Sequence, residues 1–259
     1  MPIQRRSFGG ERNSTYAMKI HNSLKPIIAI VGLASFTTSA GATTVFNEDF
    51  ESYALGNSDG QGGWVDFGGS RIVDIVDSHA SGGSQSIAFS TNPGYGGDST
   101  LDLADPITTG QLAFSFDIYQ PAAFDGTAEI YLSRSATLSG GFETGFHLIG
   151  DGGQGLFRSP QITATTPLLT DQWVAVTVSI DLDADTAAVS YGGTEIHNGT
   201  WVSGGASPSQ YQGLNIWASN GANVENFYID NLKLDIVPEP SGLALLGLSF
   251  IGLVLRRRR

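Results

Sequence analysis

Apolar and polar residues alternate with a period of two along much of this chain. Between positions 172 and 182, Val174, Val176, Val178, Ile180 and Leu182 fall on one side. Trp173, Ala175, Thr177, Ser179 and Asp181 fall on the other, which is the pattern of a half-buried strand. Gln111–Tyr119 repeats it through Leu112, Phe114, Phe116 and Ile118. Positions 187–191, 213–218 and 224–236 read as further strands. Gly-Gly, Gly-Asp and Asn-Gly pairs, the usual turn formers, lie between them. Short strands with glycine-rich turns and almost no helical period predict an all-β sandwich or barrel. No fixed repeat and no internal linker breaks residues 43–236, which read as one domain.

Two apolar runs at the ends break the alternation. From Met18 the chain carries Lys19 and Lys25, an apolar run over 26–36, and then Ala40-Gly41-Ala42. Positive, apolar and small-residue zones in that order form a secretory signal peptide. Residues 1–42 are therefore an N-terminal extension plus signal helix, with cleavage by signal peptidase expected after Ala42. Met18 suits the start of such a signal better than Met1. At the other end, Pro238-Glu239-Pro240 precedes an uncharged stretch over 242–255, and Arg256, Arg257, Arg258 and Arg259 follow it. The prolines bar any helix from continuing upstream. At ~1.5 Å per residue the stretch spans roughly 21 Å, short of a ~30 Å hydrocarbon core. Its wholly apolar character and the terminal arginines still predict a single membrane helix. Arginine snorkelling and local thinning absorb the missing length. The positive end stays cytoplasmic, so the domain faces outward.

Charge narrows the partners. Residues 43–237 hold only Arg71, Arg134, Arg158 and Lys233 as basic groups and have a net charge of −19. Nucleic acid is excluded, because phosphate contacts need clustered Lys and Arg. Divalent cations are compatible, although acidity by itself also keeps an exported domain dispersed. The chain has no cysteine, which rules out disulfides and thiolate metal sites.

Two resemblances follow from these residues. Pro238, Glu239 and Pro240, the apolar stretch and Arg256–Arg259 together resemble the PEP-CTERM sorting signal of Gram-negative bacteria, which makes 237–259 a sorting tail. The resemblance implies handling by an exosortase-type sorting protease that cuts near Pro-Glu-Pro. It also implies an extracellular polysaccharide system. The domain resembles the concanavalin A-like, or LamG-like, jelly-roll β-sandwich. The supporting residues are Asp49-Phe50-Glu51-Ser52-Tyr53, Gly60-Gln61-Gly62-Gly63-Trp64, Trp173–Asp183 with its hairpin, and Phe227-Tyr228-Ile229-Asp230-Asn231-Leu232. That fold hosts lectins, adhesion modules and hydrolases, so it does not fix function. In related sandwiches a first-strand Phe-Glu and a closing-strand Ile-Asp share a structural calcium. The resemblance assigns those roles to Glu51 and Asp230, with Glu48 and Asp49 as further ligands.

Other chemistry is weaker. Glycoside hydrolysis needs two carboxyl groups about 5–9.5 Å apart. The Glu-x-Asp-x-x-Glu strand of laminarinase-like members is absent, and Glu48-Asp49-Phe50-Glu51 has the wrong order. There is no Gly-x-Ser-x-Gly elbow to go with His79, His147 or His197, which read as structural or surface histidines. Asp181–Thr186 lacks the glycine and distal glutamate of an EF-hand loop and reads as a hairpin. Sugar rings stack on exposed aromatics, for which Tyr95, Trp201, Tyr211 and Trp217 are the candidates. Trp64 and Trp173 read as core. The sequence thus predicts an exported, non-enzymatic surface or matrix protein associated with polysaccharide. A glycoside hydrolase of this fold and a purely structural adhesion module are the alternatives.

Overall fold

The computed structural model describes residues 41–67, 72–92, 95–136, 144–159, 165–201, 209–219, 221–222 and 224–238. The signal segment, with Ala40 and its apolar run, lies outside them. So do Glu239, Pro240, the apolar stretch predicted to be the tail helix, and Arg256–Arg259.

Every described element is a strand. In chain order they are β1 (Thr43–Glu48), β2 (Gly56–Asn57), β3 (Val65–Asp66), β4 (Val73–Val76), β5 (Ser86–Asn92), β6 (Tyr95–Gly96), β7 (Asp98–Ile107) and β8 (Gln111–Tyr119). There follow β9 (Thr127–Ser133), β10 (Thr144–Asp151), β11 (Leu156–Arg158), β12 (Thr166–Pro167), β13 (Trp173–Asp181), β14 (Thr186–Tyr191), β15 (Thr194–Thr200), β16 (Tyr211–Ser219) and β17 (Asn226–Val237). The first sheet runs β15-β14-β13-β8-β17-β5-β4-β2, with β1 added to β17 and β6 to β5. The second runs β12-β11-β10-β9-β16-β7-β3. All pairings are antiparallel, as the all-β expectation requires.

Alternation builds the core between the sheets. From the first sheet come Leu112, Phe114, Phe116, Ile118, Val174, Val176, Val178 and Ile180, while Ala113, Ala175, Thr177 and Ser179 point outward and are exposed. The second sheet answers with Ala128, Ile130, Leu132, Phe146, Leu148, Leu214, Ile216 and Ala218. Each large side chain removed from water contributes about 1.5–3 kcal/mol. Phe227 shows how such residues lock together. It stacks on Phe89 with ring centres 5.1 Å apart and meets Phe124 edge-on at 5.6 Å. Phe227→Ala is expected to cost about 3–5 kcal/mol by lost transfer energy and cavity formation, read from the shift of the urea midpoint at unchanged slope.

β17 changes neighbour halfway along. Phe227 and Ile229 oppose Phe89 and Ile87 of β5, whereas Leu234 and Ile236 oppose Phe46 and Thr43 of β1. The other edge stays on β8 throughout. The change falls at a bulge after Asp230, where Asn231 takes φ 51°. Asn tolerates this left-handed region, and its N–H donates to the Asp230 carboxylate at 2.7 Å.

Candidate polysaccharide-binding face

In β9 the apolar Ala128, Ile130 and Leu132 point into the core, which turns Thr127, Glu129, Tyr131 and Ser133 to the outer face of the second sheet. Register then aligns neighbours in rows, since directly opposed residues share a face. One row is His147, Tyr131, Asn215 and Thr100. The next is Ile149, Glu129, Trp217 and Asp98. Beside it lie Asp151, Thr127 and Ser219, and on the other side Ser133, Gly213 and Asp102.

Glu129 is the hub of this face and is only 8% exposed. Thr127 Oγ1 and Ser219 Oγ donate to its Oε1 at 2.9 and 2.5 Å, and the Tyr131 hydroxyl donates to Oε2. His147 Nε2 stands 3.1 Å from Oε2, and its ring stacks on Tyr131 with centres 3.9 Å apart. Burial pushes the Glu129 carboxyl up, but its contacts with His147, Ser219, Tyr131 and Thr127 outweigh that and hold it at about 2. Tyr131 moves the opposite way. Burial, the bond to Glu129 and the charges of Glu129 and Asp98 raise its phenol far above the usual range. Alongside, Asn215 Nδ2 donates to Asp98 Oδ1, and Arg158 pairs with Asp151 at 3.0 Å.

The chemistry open to such a face is limited and specific. Glu129 is ionised and its oxygens are occupied, so it lacks the raised pKa that a general acid needs. It orients Tyr131 and His147 instead. Buried polar groups on the face without a hydrogen-bond partner among the described residues include the Trp217 indole N–H and the fully buried Ser133 hydroxyl. Such groups cost free energy until a ligand or water pairs with them.

The four aromatic candidates separate. Trp217 lies on this face and is half-buried. Trp201 and Tyr211 are corrections, because both are fully buried in the core and offer no sugar a stacking surface. Trp201 is covered because Gly145 leaves room for its ring; a Cβ there would fall 2.5 Å from it. Tyr95 pairs in β6 with Asn92, and its side chain lies outside the described residues. Trp64 is fully buried, as the sequence suggests. Trp173 is half-buried and packs 5.6 Å from Tyr119.

Glu51 and Asp230 meet one loop. Asp230 Oδ2 accepts the N–H groups of Ser81 and Gly82 at 2.7 and 3.0 Å. Glu51 Oε1 accepts those of Ser84 and Gln85, both at 2.7 Å. Asp117 joins them, taking the Ser81 hydroxyl at 2.7 Å. Burial raises the Asp230 carboxyl, its main-chain donors lower it, and the charge of Asp117 raises it again. The Ser84 and Gln85 N–H groups lower Glu51. Neither Glu51 nor Asp230 has a basic partner among the described residues. Oxygen donors without a counter-charge suit a hard cation in kind. No three acidic or histidine side chains converge among the described residues, so an ion here would also draw on main-chain oxygens.

Comparison with known proteins bears on both ends of the reading. Residues 237–259 match the PEP-CTERM protein-sorting motif. No curated protein matches the chain in sequence. Among solved structures, a sialidase superposes with a TM-score of 0.57 at 11% identity, over 75% of this chain but only 18% of that one. An endo-β-1,4-glucuronan lyase from the fungus Trichoderma reesei gives 0.52 at 11% identity, over 75% and 96%. A cellulose-induced protein gives 0.51 at 18% identity, over 73% and 96%. At such identities the likeness shows the fold alone, a jelly-roll-like β-sandwich shared with carbohydrate-active proteins.

Proposed function

We propose that this is an exported surface or matrix protein that holds an uncharged polysaccharide on the outer face of its second sheet without cleaving it. The sorting motif at 237–259 implies exosortase-mediated processing and transient membrane anchoring, which supports the location. The Glu129 hub carries the binding reading: it fixes Tyr131 and His147 in one row with Asn215, with Trp217 in the row beside it, an array suited to hydroxyl groups. Glu129 and Asp98 place negative charge where an acidic sugar would lie, which favours an uncharged glycan. Fold likeness to a glucuronan lyase does not outweigh that.

Affinity electrophoresis against neutral glucans, xylan and alginate tests the proposal. Retardation by a neutral glycan is expected, and it should weaken at least tenfold in Kd, ~1.4 kcal/mol, in Trp217→Ala and Asn215→Ala. No retardation by any neutral glycan would end the proposal. The stacked Tyr131–His147 pair favours a second reading, an enzyme that moves a proton on a polysaccharide. New reducing or unsaturated sugar ends, lost in His147→Ala, would establish that reading over the first.

The same proposal places signal cleavage after Ala42 and assigns a calcium ion to Glu51 and Asp230. The secreted form is expected to run from near Thr43 to near Pro238. Its intact mass checks both ends at once.

A further inference from the structure

β17 runs into the sorting motif without a spacer. Val237 is its last residue and pairs with Gln111 of β8. Ile236 is held on both edges, opposite Leu112 of β8 and Thr43 of β1. Leu234 is fully buried. Thr44 Oγ1 donates to Asp235 at 2.7 Å, and Lys233 pairs with Asp235 at 2.8 Å. Pro238 follows at once and, having no N–H, cannot extend the ladder. On the far side the apolar run begins at Gly242. Positions 238–241 thus separate the last strand from the apolar run by only four residues, a reach of at most about 14 Å.

We propose that this strand end is the surface the sorting protease has to open, and that β1 and β8 set the rate of sorting by holding it shut. The proposal rests on the sorting reading of the tail. An enzyme that binds a peptide in extended form takes up its main-chain N–H and C=O groups as an added strand does. Upstream of the motif, residues 234–236 are already paired with both β1 and β8, and Val237 is paired with β8. Downstream, four residues, two of them proline, separate Val237 from the apolar run. Cleavage near Pro238–Pro240 therefore requires residues 234–237 to leave the sheet, or to be caught before they join it. β1 is the weaker of the two edges, with Thr43 and Thr44 exposed and a register shift between Thr44 and Phe46. Thr43, the residue expected to follow signal cleavage, closes the pairing opposite Ile236. The first strand made is thus the one that locks the last.

The full chain, expressed in a host carrying an exosortase, is followed by pulse–chase, with intact mass reporting loss of Arg256–Arg259. A Gly/Ser insertion of about six residues between Val237 and Pro238 supplies free backbone without touching the fold. It is expected to be processed roughly tenfold faster than the parent, as local opening ceases to limit the rate. The Thr43→Cys/Ile236→Cys double variant, in a chain with no other cysteine, clamps the end once its cross-link is confirmed by thiol count. It is expected to be processed roughly tenfold more slowly, with reductant restoring the parent rate. Equal rates in the parent, the insertion and the cross-linked variant overturn the proposal while leaving sorting intact. Retention of the arginines by parent and insertion alike overturns the sorting reading, and the proposal with it.

Discussion

Glu129→Ala is expected to cost about 3–5 kcal/mol, more than any other single change on the outer face of the second sheet. The loss strands the hydroxyls of Thr127, Tyr131 and Ser219 and the His147 imidazole, all of which now face one buried carboxylate. Glu129→Gln keeps the volume and one acceptor oxygen and should cost less. The two variants also differ in their response to acid. In the folded chain the carboxyl is held at about 2, against an ordinary value of 4.5. Its contribution, about 3 kcal/mol, is therefore fully present above 4.5 and fades as pH falls from there toward 2. Urea unfolding of wild type and Glu129→Gln at pH 7, 4.5 and 3 isolates it. The gap between them should hold nearly constant from pH 7 to 4.5 and narrow at pH 3. A constant gap would mean that Glu129 is not the hub of the face.

The first sheet is legible because its central strands are half-buried. β8 and β13 show one apolar and one polar side, and their observed bounds fall within a residue of the expected ones. The second sheet is harder to read. β9 does alternate, with Ala128, Ile130 and Leu132 between Thr127, Glu129, Tyr131 and Ser133, but its outward residues are also withdrawn from water. β7 reads Asp-Ser-Thr-Leu-Asp-Leu and looks like a loop, since partners on β16 and β3 rather than its own side chains make it a strand. The candidate face is a product of register. His147, Tyr131 and Asn215 come from three separated segments and form a row only once β10, β9 and β16 are paired. A histidine judged by its own neighbours in sequence shows nothing of this. Trp201 and Tyr211 fail as sugar platforms for the reverse reason. Each sits among polar residues in sequence, and packing, through Gly145 for Trp201, draws them into the core.

Asp230→Ala is expected to remove both the anchor of the Ser81–Gly82 end of the loop and the response to calcium. Three main-chain N–H groups, those of Ser81, Gly82 and Asn231, lose their acceptor, and the cost should be about 3–5 kcal/mol. The response to calcium separates a metal role from that bonding. An ion bound only by the folded chain stabilises it by about 2.7 kcal/mol at a hundredfold excess over Kd. For a domain of this size that is roughly 5–10 °C in Tm. It would also relieve the repulsion between Asp230 and Asp117 that raises the Asp230 carboxyl. Wild type should therefore melt higher in calcium and lower in chelator, and less so in magnesium, which demands tighter octahedral geometry. Asp230→Asn retains one acceptor oxygen for the loop, and its Tm should be insensitive to calcium. If wild type melts at the same temperature in calcium and in chelator, no ion bridges these carboxylates, and the loop N–H groups, the Ser84 hydroxyl and the Asn231 N–H are their partners. The bulge at Asn231 is then held by its N–H to the Asp230 carboxylate and its side-chain amide to Asp117.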